Sequence, residues 1–240
     1  MTTSLPVISL SGLALSFVPA LAVVGLLIAW QARPGYALWA LARMLAQLVA
    51  VGYVLVAIFR SDNPLLIGLV LAVMLLAAAW IAIRHEVSDR RSAYGSALIA
   101  ISVAGLPVLA LITRIAIGIE PWFAPRFLVP LAGMTFAAAM NAVSLASERF
   151  RAEILRGEES LAARRAAFAA SLIPVTNSLL AVGLVSLPGM MTGQILSGVS
   201  PLIAVRYQVV VMTMLFGVSG IASALYLQLR LRRRQRMPSA

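Results

Sequence analysis

The sequence is dominated by a succession of apolar runs, each bounded by charged residues, proline or glycine. Each run has the ~20 residues that an α-helix needs to cross the hydrocarbon core of a bilayer. The runs lie at about 7–31, 36–59, 64–83, 96–117, 127–147, 167–187 and 203–229. Because 62% of the residues are hydrophobic and 11% are charged, little remains for a separate water-soluble domain. We therefore predict an all-α integral membrane protein with about seven transmembrane helices, forming one domain over residues 1–240.

The placement of arginine sets the predicted orientation. All 19 basic residues are arginine, and positive charge concentrates on the cytoplasmic side of membrane proteins. With the N-terminus outside and the C-terminus in the cytoplasm, only four arginines fall on the outer side: Arg60, Arg114, Arg126 and Arg206. The basic C-terminal tail is then an orientation anchor near membrane lipid, and we expect no nucleic-acid partner. The expected location is the cell membrane, crossed several times.

The residue types that the chain lacks exclude several kinds of chemistry. Without lysine it cannot form the Gly-Lys-Ser/Thr loop that holds ATP phosphates. Without cysteine, and with His85 as its one histidine, it cannot build a zinc cage or a thiol nucleophile. We expect no catalytic residue and no cofactor in this chain. All eight acidic residues lie in loops or at the ends of spans, which argues against a proton-coupled carrier.

One sizeable polar segment, 148–166, interrupts the apolar runs. As a helix it places Phe150 and Ile154 on one ridge and pairs Arg149 with Glu153, until Gly157 breaks the run. This pattern predicts a short helix across the cytoplasmic face. The segment is either a docking surface for a soluble partner or a solvated connector.

A glycine-rich stretch follows the sixth apolar run. Residues 188–202 are too polar for a full span and too apolar for an ordinary loop, so we predict a re-entrant segment or a broken helix end. Gly189, Gly193 and Ser197 recur every four residues, which leaves one helix face almost without side chains. Such a face predicts close packing of another helix.

Polar side chains within the apolar runs are the candidates for a translocation path, because they are costly in lipid unless paired or facing water. They are Arg43, Gln47, Asn141, Asn177, Gln194 and Gln208. The alternatives are that Arg43 snorkels to the inner surface and that Asn177 makes an interhelical hydrogen bond. Met190 and Met191 are weak candidates for contact with a metal through their soft thioethers, with gap filling as the alternative.

Several of these residues stand in longer stretches that carry a recognisable pattern. The stretches are 43–55 (RMLAQLVAVGYVL), 172–178 (LIPVTNS), 182–193 (VGLVSLPGMMTG) and 204–208 (AVRYQ). The pattern resembles the FetB/YbbM family of ABC-exporter permease subunits, which includes plant aluminium-tolerance membrane proteins. Chain length, span number and orientation agree with that family, so the resemblance covers essentially the whole chain.

The resemblance implies a permease half that forms a homodimer and works with a separate ABC ATP-binding subunit, on which ATP and Mg are bound. Export of iron or another metal is implied for bacterial members, in the inner membrane, and a nucleotide sugar is linked to plant members. Residues 148–166 then become a coupling segment through which closure of the ATPase tilts the spans. Its coupling residues are Arg149, Glu153, Leu155, Gly157, Glu158 and Glu159.

The fifth run departs from the family pattern. The family often has Gly-Asn where this chain has Ala137-Ala138, so a polar group of that span is absent or is replaced by Asn141. The scatter of intramembrane polar residues alone also fits an ATP-independent carrier or channel for a small solute. The sequence leaves the substrate open among iron, another metal, a complexed ion and an organic solute.

Overall fold

The computed structural model describes residues 8–60, 63–86 and 89–236, and the chain divides into two compact units, residues 1–60 and 61–240. The first unit contains α1 (Leu10–Leu15), α2 (Val18–Ala29) and α3 (Pro34–Ile58). The second contains α4 (Pro64–Ala82), α5 (Arg90–Ala110), α6 (Pro125–Leu155), α7 (Ser160–Ala181), α8 (Gly189–Leu196) and α9 (Pro201–Arg236). A π-helical turn, Leu111–Ala116, extends α5. The all-α class is confirmed for the described residues, and the single domain stays a prediction.

Proline marks where most of the long helices begin. Pro34, Pro64, Pro125 and Pro201 are the first residues of α3, α4, α6 and α9. Proline suits this position because the first turn has no intrahelical partner for its N–H and because its fixed φ matches the helix. At α4 the preceding Asn63 also caps the helix, since its Oδ1 accepts the N–H of Leu65 at 2.9 Å.

Six of the described helical segments are long and apolar enough to cross a membrane, which makes this a multi-pass membrane protein. They are Leu10–Ala29, Pro34–Ile58, Pro64–Ala82, Arg90–Ala116, Pro125–Leu155 and Pro201–Gln235. The run predicted at 167–187 corresponds to α7, which is not among them. Polar residues at both ends of α7, such as Arg164 and Asn177, lower its hydropathy. The helix also begins earlier and ends earlier than the apolar run.

The separate short helix predicted within 148–166 is absent from the described chain, and that prediction is corrected. Instead α6 continues without a break to Leu155, and α7 begins at Ser160. The reason is that Phe150 remains buried on the same face as the core residues before it. An ion pair between Arg149 and Glu153, one turn apart, further supports these last turns.

The second unit is built around α6, which packs against α4, α5, α7 and α9. Its interior is lined by small side chains. The alanines that are completely buried are Ala79, Ala93, Ala97, Ala100, Ala132, Ala139, Ala146, Ala163, Ala167, Ala204 and Ala222. Small residues allow helix backbones to approach closely, and in lipid this van der Waals contact replaces the hydrophobic driving force that water supplies elsewhere.

Helices α6 and α9 run parallel. The hydroxyl of Thr135 donates to Met214 Sδ at 3.3 Å, and the hydroxyls of Ser147 and Tyr226 are hydrogen-bonded at 2.8 Å. Both pairs are separated by 79 residues in sequence, so the contact advances in the same direction along each helix. All four side chains are buried or nearly so. The chain must therefore return between the end of α6 and the start of α9.

Helix α7 makes that return. Arg164, near its start, donates to Oε1 of Gln228 near the end of α9 at 2.8 Å. Farther along, Leu172 lies beside Gly220, where an added Cβ would be 3.9 Å from the Leu172 side chain. Later residues of α7 therefore contact earlier residues of α9, which makes the two helices antiparallel.

The contact between Gly105 of α5 and Phe136 of α6 gives a test of this packing. A Cβ at Gly105 would lie 3.1 Å from two ring carbons of Phe136, which is 2% exposed and has little room to move. We expect Gly105→Val to lower the free energy of unfolding by about 1 to 3 kcal/mol through overpacking. Denaturant titration of the purified protein in detergent measures the change. Gly217→Val is the control, because an added Cβ there meets nothing within 4 Å; equal stability of the two variants would contradict the contact.

Candidate functional site

An open cleft of about 630 Å³ lies between α6, α7, α8 and α9. Its polar lining consists of three carboxamides and four hydroxyls, from Asn141, Asn177, Gln208, Ser171, Ser178, Ser186 and Ser219. The remaining lining is apolar, and the described side chains around the cleft include none that carries a charge. The cleft is therefore a neutral polar site within helices that are otherwise apolar.

The cleft brings together three of the residues predicted for a translocation path. Asn141 comes from α6, Asn177 from α7 and Gln208 from α9. Ala138 also lines the cleft one turn before Asn141, so Asn141 presents its amide on the same side as the alanine that departs from the family pattern. Gln194 lies on α8 but does not line the cleft. Met190, one turn earlier on the same helix, does line it.

Two carboxamide oxygens in this region are buried without a hydrogen-bond donor. They are Oε1 of Gln194 and Oε1 of Gln208. A buried acceptor that loses its water and gains no donor costs about 1 to 3 kcal/mol. Because buried polar groups are almost always satisfied, these oxygens are suited to accept a hydrogen bond from a ligand or a water, or to coordinate a cation.

The cleft also collects three thioethers. Met190, singled out from the sequence, is joined by Met134 and Met212, which sequence reasoning missed. The sequence spacing could have predicted this position for Met134, because Met134, Ala138 and Asn141 lie on one face of a helix. Met191 instead lines a neighbouring apolar pocket of about 360 Å³. The described residues contain no group of three His, Asp or Glu side chains that could hold a metal ion.

Two of the cleft amides are open to the surroundings. Asn141 and Asn177 are both exposed in the single chain, as is the neighbouring hydroxyl of Ser178. An amide facing hydrocarbon is costly, so this side of the bundle needs water or another protein surface against it.

The first unit carries the remaining two predicted path residues. Arg43 is half-buried and its guanidinium lies 5.1 Å from the centre of the Trp39 ring one turn away, a cation–π contact within α3. Gln47 is exposed one turn farther on. Their roles in a path stay predictions.

The described ends of α4, α5, α6 and α9 meet on one face of the second unit, which we call the arginine face. Arg230 of α9 binds Asp89 at 2.8 Å and lies 4.0 Å from Glu86. Arg151 of α6 donates to the backbone oxygen of His85 at 2.9 Å. A cavity of about 460 Å³ opens on this face and includes Leu155 in its lining.

The pKa of Asp89 reflects its place in this network. Burial raises the pKa, but the hydrogen bonds from Arg230 and Ser92 and the positive charges of Arg230 and Arg233 outweigh it and hold the pKa below its ordinary value. Asp89 is therefore ionised at neutral pH, and its negative charge compensates Arg230.

The predicted coupling residues divide into a structural group and an exposed group. Glu153 is 7% exposed and pairs with Arg149 and, at 3.6 Å, with Arg156. Gly157 ends α6 at φ +89°, a conformation that favours glycine. The N–H of Glu158 donates to the backbone oxygen of Glu153 at 3.1 Å, so the helix ends in a Schellman motif.

The exposed group is formed by the turn between α6 and α7. Leu155 is 74% exposed, and Glu158 and Glu159 are exposed beside it. Leu155 also lines the cavity of about 460 Å³, together with Phe150 and Ile154.

The small-residue face of α8 is open. Gly189, Gly193 and Ser197 are all exposed, and a Cβ added at either glycine would meet nothing within 4 Å. No described helix of the second unit packs on that face, so the predicted close packing is not met within that unit. It stays a prediction for an assembly.

The chain is similar to a family of known membrane proteins. The model of the family described as "Uncharacterised protein family (UPF0014)" matches residues 11–234. "UPF0014 membrane protein slr1647" of Synechocystis sp. is 39% identical over 206 residues, 78% of each chain. "Probable iron export permease protein FetB" of Escherichia coli is 34% identical over 211 residues, 80% of each chain. "Protein ALUMINUM SENSITIVE 3" of Arabidopsis thaliana is 31% identical over 209 residues, 79% of this chain and 73% of that one.

No solved structure matches the chain. The match to the family model extends from α1 almost to the end of α9 and includes every residue that lines the cleft. On that extent of similarity, the chain belongs to the UPF0014 family of membrane proteins.

Proposed function

We propose that this protein is the transmembrane permease subunit of an ABC-type exporter for iron or another metal, powered by a separate ATP-binding subunit. The observation that carries the proposal is the neutral, amide-lined cleft inside a bundle of apolar helices. The relative named a probable iron export permease supports the substrate class. The lack of a lysine for a Gly-Lys-Ser/Thr phosphate-binding loop supports the assignment of ATP and Mg to another chain.

Helix α7 serves as the additional span that brings the total to seven. It has 22 residues, about 33 Å of helix at 1.5 Å per residue, which is enough to cross a bilayer. Its antiparallel contact with α9 and its position between two parallel helices support this assignment. With seven spans and the arginine face inside, the N-terminus is external and the C-terminus cytoplasmic.

The permease works as a homodimer. The exposed amides of Asn141 and Asn177 and the open glycine face of α8 are surfaces that a monomer would present to lipid. A second copy set against this side removes those costs and closes the open cleft. The close approach allowed at Gly189 and Gly193 is the kind of contact that membrane helices use.

The cleft offers substrate neutral ligands. Carboxamide oxygens, hydroxyls and thioethers bind a cation more weakly than carboxylates do, which suits a site that must release its cargo. The buried oxygen of Gln208 is the acceptor best placed to contact it, because it lines the cleft and has no donor in the described chain.

The ATPase partner docks on the arginine face around the turn between α6 and α7. Leu155 projects from this turn and the acidic pair Glu158 and Glu159 surrounds it. Since the turn joins α6 directly to α7, a push on it is transmitted to two helices that line the cleft. This continuous helix end takes the place of the separate coupling helix expected from the sequence.

The decisive experiment is purification of the chain from its native membranes with whatever binds it, followed by assay of ATP hydrolysis. We expect a stoichiometric ATP-binding subunit and vanadate-sensitive hydrolysis that iron or another metal stimulates. A chain that is recovered alone and moves solute without ATP would instead identify an ATP-independent carrier or channel.

The cleft is tested by Asn177→Leu, which removes one amide from the path. We expect export into inside-out vesicles to fall about tenfold, the loss that corresponds to one interaction of about 1.4 kcal/mol. ATP-driven uptake of radioactive iron into the vesicles measures it. Thr176→Leu is the control, because Thr176 is exposed on the same turn but does not line the cleft; equal loss in both variants would contradict the path.

Docking is tested by Leu155→Ala. We expect the affinity for the ATPase subunit to fall about 30-fold, as for a central contact worth about 2 kcal/mol, with transport reduced and thermal stability unchanged. Titration of the reconstituted permease with the ATPase subunit measures this affinity. Leu202→Ala, at an exposed leucine at the opposite end of the second unit, is the control. Wild-type affinity in the Leu155 variant would overturn the assignment.

A further inference from the structure

A second polar cavity lies on the arginine face, between the first turns of α5 and the last turns of α9. It has a volume of about 510 Å³ and is separate from the candidate cleft, with which it shares no lining residue. Its polar lining comes from Arg91, Ser92 and Ser96 of α5 and from Arg232 and Arg233 of α9. Gly95 forms part of its wall, where an added Cβ would meet nothing within 4 Å.

The charge of this cavity is positive and uncompensated. Arg91, Arg232 and Arg233 are exposed, and none of them forms an ion pair with a described residue. The described lining includes no carboxylate. The nearest acid on which Arg233 acts, Asp89, is already bound by Arg230 at 2.8 Å. Three guanidinium groups around one cavity favour an anion with several oxygen atoms.

The unpaired hydroxyl of a buried serine points to the same ligand. Ser96 lines the cavity and is only 8% exposed, yet its hydroxyl makes no hydrogen bond within the part of the chain that the structure describes. A serine in this position within a helix would ordinarily bond a backbone oxygen of the preceding turn, as Ser102 does with Leu98 at 2.6 Å. The Ser96 hydroxyl is therefore available as a donor to a ligand in the cavity.

The surroundings place the cavity at the boundary between headgroups and hydrocarbon. Trp80 and Tyr94, with rings 6.0 Å apart, lie at the adjacent ends of α4 and α5, and Arg90 stacks on Trp80 at 4.0 Å. Tryptophan and tyrosine concentrate at this depth of a membrane. From the cavity, an exposed apolar stripe continues along α5. It consists of Ile99, Val103 and Leu106.

We propose that this cavity binds the phosphate headgroup of an anionic phospholipid from the leaflet that faces the C-terminus. The three arginines and the Ser96 hydroxyl contact the phosphate oxygens, and an acyl chain follows the stripe that begins at Ile99. Basic cavities between transmembrane helices recognise anionic lipid in this way. The bound lipid joins the start of α5 to the end of α9 beside the Arg230–Asp89 ion pair. The inference does not depend on the transported substrate.

The test uses the full-length protein in a zwitterionic detergent, titrated with phosphatidylglycerol, phosphatidylcholine or inorganic phosphate and followed by native mass spectrometry and thermal unfolding. We expect retained phosphatidylglycerol, a rise in melting temperature with that lipid, and little effect of phosphatidylcholine. In Arg232→Gln/Arg233→Gln the affinity for phosphatidylglycerol falls about 30-fold, because two charged contacts are lost. In Ser96→Ala, which keeps every charge, it falls about tenfold because one hydrogen bond to a charged group is lost.

The control is Arg165→Gln/Arg206→Gln, which removes the same charge at two exposed arginines outside the cavity. We expect it to bind phosphatidylglycerol as the unaltered protein does. An equal loss of affinity in this control would assign the effect to net charge and overturn the site. Equal stabilisation by inorganic phosphate would overturn the lipid assignment in favour of a free phosphate. If the double arginine variant does not fold, wild-type affinity in Ser96→Ala overturns the proposal by itself.

Discussion

The parallel contact between α6 and α9 is the interaction on which the second unit depends. Buried alanines let the two helices approach closely, and the hydrogen bonds of Thr135 and Ser147 fix their register at two levels. Parallel neighbours require a return between them, and α7 supplies it. The cleft forms where this return helix and the short α8 leave space beside α6 and α9. The same register brings the ends of α6 and α9 together on the arginine face.

In the proposed function, the cleft balances the free-energy cost of polar groups in lipid against the binding of a substrate. A carboxylate at this depth would hold a cation firmly but would be expensive to bury. A carboxamide costs less free energy to bury than a carboxylate and still offers an oxygen acceptor. The carboxamide oxygen of Gln208 is buried, and no described group donates to it. Asn141 and Asn177 are exposed, so their amides need contact with water or with another protein surface. A neutral, incompletely covered site is thus consistent with both transport and self-association.

The arginines of the arginine face, which look alike in the sequence, have different structural roles. Arg230 is neutralised by Asp89, and Arg149 supports the end of α6 through Glu153. By contrast, Arg232 and Arg233 border a cavity without an ion pair. Neighbouring residues on α9 face different surroundings because successive positions on a helix are about 100° apart. Part of the positive charge that predicts orientation is therefore not neutralised by a described acid and is available to bind an external anion.

The sequence alone determined that this chain is a helical membrane protein, because runs of that length and polarity can satisfy their backbone hydrogen bonds in lipid only as helices. It also determined the family, through stretches such as 182–193. It identified Asn141, Asn177 and Gln208 as polar side chains that are costly in lipid unless they are paired or face water. Tertiary structure decided which of these groups meet. Contacts between α6, α7 and α9 join residues that are distant in sequence, and no local pattern encodes that convergence. It also decided that 148–155 continue α6, because burial of Phe150 against the bundle outweighs the polarity that predicted a separate helix.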